Sequence, residues 1–152
     1  MSAAADDERA LVDSNIVVYA HDADEPEKQP VARDLLVRLS AAGHLIFSVQ
    51  VLNEFSSVMM RPRRPSPMTP DVLLETLKDL ANLAEIVPVT ASMTFLALDA
   101  MTRHSLSFWD ALIWAAAKEN GISRIYSEDF QNGRDIEGVR IINPLAARPA
   151  SG

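Results

Sequence analysis

The sequence has no cysteine, only five glycines in 152 residues, and three lysines. Without thiols there is neither a disulfide framework nor a thiolate metal site, and a reducing, cytoplasmic setting is the simplest home. No apolar run reaches the about 20 residues that cross a bilayer, so no membrane partner is expected. The first eight residues, Met1-Ser2-Ala3-Ala4-Ala5-Asp6-Asp7-Glu8, are acidic and lack an apolar centre, which reads against a signal peptide. No glycine-rich phosphate loop is present, and no serine stands in a nucleophile elbow. Positive charge is scarce as well. Fourteen Lys and Arg against 21 Asp and Glu leave a net charge of -7, which excludes a protein that coats nucleic acid through a broad basic surface. It leaves open an enzyme that meets nucleic acid at one cleft.

What is there fits a single soluble domain, with 48% hydrophobic and 23% charged residues. Residues 1–9 read as a flexible N-terminal extension, 10–145 as one domain and 146–152 as a flexible tail. The run from Leu11 reads as a strand that ends at Asp13, after which Ser14 or Asn15 opens a helix. His21 to Pro30 is a charged loop, and Val31, Leu35, Leu36 and Leu39 give the next stretch one apolar helical face that Gly43 closes. His44 to Ser48 is a second strand, with Ser48 capping a helix to about Met60. Thr69 and Pro70 open a helix to about Leu83. Ile86 to Val89 is a third strand, Thr90 to Met101 a helix, and Phe108 to Asn120 a helix capped by Ser107 and ended by Gly121. Ile122 to Ser127 and Val139 to Ile142 complete five strands. Strands alternating with helices predict a three-layer α/β/α sandwich around a parallel sheet.

Four acids sit among apolar neighbours: Asp13 after Leu11-Val12, Glu54 beside Phe55, Asp110 in Phe108-Trp109-Asp110-Ala111, and Asp129 after Ile125-Tyr126. A buried lone charge costs several kcal/mol, in order of magnitude, unless it is paired, hydrogen-bonded or metal-bound. Singly, each has an ordinary reading. Asp13 reads as a cap or turn, Glu54 as a solvated helix flank, Asp110 as an acid favoured by a helix N-terminus, and Asp129 as a turn. Jointly, they point to convergence on a divalent cation. Parallel strands share a direction, so Asp13 and Asp129 fall at one rim of the sheet. Four carboxylates there repel one another, and Mg²⁺ or Mn²⁺, which take oxygen ligands and a substrate phosphate together, remove that repulsion. Glu128 is the alternative ligand to Asp129. His21, His44 and His104 show no metal-ligand spacing, and Trp109 and Trp114 read as core, with stacking on bases as the alternative. Arg61, Arg63 and Arg64, in a proline-rich loop, read either as solvated charge or as contacts to RNA phosphate.

The blocks Leu11-Val-Asp-Ser-Asn-Ile-Val-Val-Tyr-Ala20, Ser48-Val-Gln-Val-Leu-Asn-Glu54-Phe, Ser107-Phe-Trp-Asp110-Ala-Leu-Ile and Ile125-Tyr-Ser-Glu-Asp129-Phe, in this order, resemble PIN-domain nucleases, specifically the VapC-type toxins of bacterial toxin-antitoxin modules. The resemblance spans about residues 10 to 144. It implies a metal-dependent endoribonuclease that uses Mg²⁺ or Mn²⁺, forms a homodimer, acts on RNA and is inhibited by a small cognate antitoxin. By position Asp13, Glu54, Asp110 and Asp129 match the family's acidic quartet, and Asn15 and Ser127 match the polar residues that support it. The arginine loop and the acidic extension lie outside the matched pattern. Two other classes fit an acidic rim: a Mg-dependent phosphatase or phosphoacceptor domain, and a non-catalytic metal-binding interaction module.

Overall fold

The computed structural model describes residues 8–146, so the expected extension up to residue 7 and the expected tail from residue 147 lie outside the described residues. The chain begins in β1 (Ala10–Val12), three residues buried on both faces, as befits a central parallel strand. Asp13 ends it and caps α1 (Ser14–Ala20) by accepting from the Ser14 amide. α2 (Lys28–Ala42) follows, starting three residues earlier than the sequence suggests, because Pro30 is tolerated in a first turn whose amides have no helical partner anyway. Gly43, at φ 75°, closes it in the left-handed conformation that glycine adopts at least cost.

β2 (Leu45–Ser48) leads directly into α3 (Val49–Met59), whose first turn Ser48 caps at the Val51 amide. Thr69 caps α4 (Pro70–Leu83), β3 (Glu85–Val87) follows, and Thr90 caps α5 (Ala91–His104). Ser107 caps α6 (Phe108–Glu119), in which every residue from Ala111 to Ala117 is buried. Such a helix, apolar on all sides, belongs at the centre of a domain. β4 (Arg124–Tyr126), β5 (Asp135–Ile136) and β6 (Val139–Ile142) complete the chain.

The sheet order is β3-β2-β1-β4-β6-β5, with β1 parallel to both β2 and β4. Parallel pairing continues from β2 to β3 and from β4 to β6. The sequence reading of five parallel strands omits β5, a two-residue strand that pairs antiparallel with β6 through Asp135↔Arg140 and Ile136↔Val139. A strand of two residues shows no alternation, so sequence periodicity does not register it. The chain winds outward from β1 to β3, then returns to β4 on the other side of β1. α1 packs on α2 and α3, α3 on α4, and α5 on α6; by the right-handed rule for parallel crossovers the first four helices share one face of the sheet and α5 with α6 take the other, giving three layers. Reversal of winding between β1 and β4 opens a crevice beyond their carboxyl ends, where open α/β sheets bind ligands.

Candidate active site

Asp13 leaves β1 and Ser127 leaves β4 on adjacent strands in register, with Val12 opposite Tyr126. The Ser127 hydroxyl donates to Asp13 Oδ2 at 2.7 Å, while the Ser14 amide donates to Oδ1 at 2.7 Å. Ser127 Oγ also accepts from the Asp129 amide at 3.1 Å and from Asn15 Nδ2 at 3.4 Å. One buried hydroxyl thus joins Asp13, Asn15 and Asp129. Asn15 Oδ1 accepts from the Glu128 amide at 3.3 Å, tying α1 to the loop after β4.

Glu54 reaches the same crevice from α3, where Ser14 Oγ lies 3.5 Å from Oε2. Its other oxygen accepts from Gln50 Nε2 at 2.7 Å, and the same amide donates to the Trp109 carbonyl at 3.1 Å. Gln50 therefore links the helix that carries Glu54 to the turn that carries Asp110. Sequence reading missed it, although a glutamine four residues before Glu54 on the buried side of a helix was the available signal. Asp110 lies in the first turn of α6, its amide bonded to Ser107 Oγ at 3.3 Å.

Burial pushes the Asp13 carboxyl up to about 6, against the pull of the Ser127 and Ser14 hydrogen bonds. Repulsion from Glu54 and Asp129 adds to the rise. Asp110 is raised too, first by burial and then by the charge of Asp129, with the Ser107 contact opposing. Asp13 therefore feels the charges of Glu54 and Asp129, and Asp110 that of Asp129; among the described residues none of the four acids has an ion-pair partner. As placed, no three acidic or histidine side chains among the described residues form a closed metal cluster. The donor set nevertheless suits a hard cation: it is all oxygen, and its mutual repulsion is relieved by positive charge.

Glu128 is occupied elsewhere. It accepts from Tyr19 Oη at 2.9 Å and pairs with Lys28 at 3.4 Å, facing away from the role that sequence left open for it. Arg61 and Arg63 are exposed beyond the end of α3, whereas Arg64 is half-buried 3.7 Å from Asp22. The two tryptophans part company. Trp114 is core, its indole donating to the Ile136 carbonyl at 3.0 Å. Trp109, expected as core, is 59% exposed. It stands in the first turn of α6, two residues before the buried stretch, and the helix turns it outward. His104 and His21 pack against Trp114 and Phe55.

The PIN domain family profile matches residues 10–132, most of the chain and all four acids. The chain belongs to the PIN-domain family. PIN domains are nucleases as a class. Solved structures agree on the PIN fold. Mycobacterium tuberculosis VapC20, described as a sarcin-ricin loop cleaving toxin, superposes with a TM-score of 0.63 at 22% identity, over 79% of this chain and 89% of that one. A toxin-antitoxin complex from Klebsiella pneumoniae gives 0.61 at 18% identity, over 89% and 97%. VapBC2 from Rickettsia felis, bound to a promoter DNA fragment, gives 0.62 at 17%, over 87% and 96%. No curated protein matches this PIN domain by sequence. Among the described residues, no helix is long and apolar enough to cross a membrane.

Proposed function

We propose that this PIN domain is a Mg²⁺- or Mn²⁺-dependent endoribonuclease and the toxin of a two-component module. Asp13, Asp110 and Glu54 hold the principal ion, and Asp129 completes the site directly or through water. When bound, such an ion polarises a phosphoryl oxygen and lowers the pKa of water. The chain's own part is to set the donors. Ser127 fixes one Asp13 oxygen and favours its ionised form. Gln50 fixes one Glu54 oxygen, leaving the other toward Ser14. The sheet brings Asp13 and Asp129 to one crevice, so a phosphodiester placed there meets both.

The observation that carries this reading is a set of mutually repelling carboxylates, without cationic partners, at the crevice between β1 and β4. The phosphoacceptor alternative needs a lysine for the phosphoryl group. Here Lys28 lies on Tyr19 and Glu128, Lys78 on Glu75, and Lys118 on the Glu137 carbonyl. The VapBC likeness supports a small antitoxin as partner, and the exposed apolar side chains Phe95 and Leu98 along α5 are where a homodimer would bury surface. The test is cleavage of a structured RNA pool by purified, antitoxin-free protein with Mg²⁺, Mn²⁺ or EDTA, beside the Asp13→Asn protein. Cutting that needs metal and is lost in the variant supports the assignment. Equal cutting by both proteins, or none by folded wild type, sinks it.

A further inference from the structure

Between α3 and α6 lies an open recess of about 330 Å³ that shares Glu54 with the acidic crevice. Val49, Val89 and Leu112 make its walls apolar, and Trp109 stands at its edge, 59% exposed. The exposed indole offers a flat partner a face to stack on. The volume of the recess lies at the small end of ligand sites, enough for one planar ring system rather than a drug-sized molecule.

We infer that this recess holds a nucleobase of the RNA next to the phosphate being cut, stacked on Trp109. The inference rests on the ribonuclease reading and names the part of the substrate that the apolar side of the site takes. Two observations favour a base over the aliphatic side chain of another protein. Trp109 immediately precedes Asp110, so a base stacked on it leaves its own phosphate within reach of the acids. Glu54, which lines the recess, also turns its Oε2 toward Ser14 and its charge toward Asp13, so an occupant of the recess lies beside the acids proposed to take the phosphate. Stacking on an exposed aromatic side chain is how single-stranded RNA is held without a groove to read. In a protein of net charge -7 it also supplies affinity that does not depend on positive charge.

Trp109 and Trp114 are the only tryptophans, and Trp114 is fully buried, so collisional quenching by acrylamide reports on Trp109. An adenosine tetranucleotide added with Mg²⁺ to the Asp13→Asn protein, which binds without cutting, is expected to shield Trp109, and the same oligonucleotide with abasic sugars is not. In the otherwise wild-type enzyme, Trp109→Ala raises KM about tenfold with little change in kcat, and Trp109→Phe restores most of the loss. Absence of shielding, or an unchanged KM in Trp109→Ala, overturns the proposal while leaving metal-dependent cleavage intact. Shielding that follows protein concentration and ignores RNA also overturns it, in favour of a second copy of the chain over the recess. Shielding by the tetranucleotide in a protein that cuts no RNA supports the recess and separates it from a failed nuclease reading.

Discussion

Two clusters of carboxylates in this molecule have opposite surroundings. Glu137 faces Arg103 and His104, with its Oε2 on both, and the His104 contact above all holds its carboxyl below the usual range. At the sheet rim, Asp13 and Asp110 face other acids, hydroxyls and, at Asp13, a backbone amide, and both are pushed up. The surface cluster is complete as it stands and exposed to water, where such pairs contribute little. The rim cluster is incomplete, holding charge together without neutralising it. That difference is what the proposed metal-holding role of the rim acids rests on.

The comparison breaks first at Asp110. Replacing it with Asn removes ligand charge without volume, and RNA cleavage in Mg²⁺ is expected to fall about a thousandfold or more, several kcal/mol of lost transition-state stabilisation. Retention of more than a tenth of the wild-type rate would contradict the contrast. The next effect is on stability. A carboxyl raised from 3.8 to about 6 in the folded state binds its proton more tightly there than when unfolded. Metal-free protein therefore loses stability as pH rises from about 4 to about 6, by up to about 3 kcal/mol. In EDTA at pH 7, Asp13→Asn is expected to melt above wild type, and the gap should close toward pH 4. Mg²⁺ should narrow it at pH 7, and a gap independent of pH would show that Asp13 carries no buried charge.

Ser127→Ala comes third. It deletes the hydroxyl that Asp13, Asn15 and Asp129 share, and metal affinity read by calorimetry should fall about 10- to 100-fold, with cleavage following. Smallest is Glu137→Gln, expected to shift stability by under about 1 kcal/mol and leave cleavage unchanged. A loss of activity there would mean that the two clusters are coupled.

Legibility in sequence followed length and chemistry. Asp13, Glu54, Asp110 and Asp129 stood out because each is an acid among apolar neighbours, and caps such as Ser48, Thr69 and Ser107 fixed helix starts within a residue. β5 was hidden by its two residues. Trp109 was misread because composition says that an aromatic beside Ala111-Leu112-Ile113 is core, whereas its side depends on how the helix docks. Gln50 was missed for a related reason: an amide bridging two helices is visible only when both are in place.

The sheet ends on short edges, β3 with three residues and β5 with two, while β1 and β4 lie inside it. Edges fray before centres, so amides of Leu11, Val12 and Ile125 should exchange with deuterium only in the rarest and largest openings of the molecule. Of the acids at the rim, Asp13 and Asp129 hang from those two strands. Local breathing that loosens β3 or β5 thus leaves their spacing alone, and only near-global unfolding disperses them.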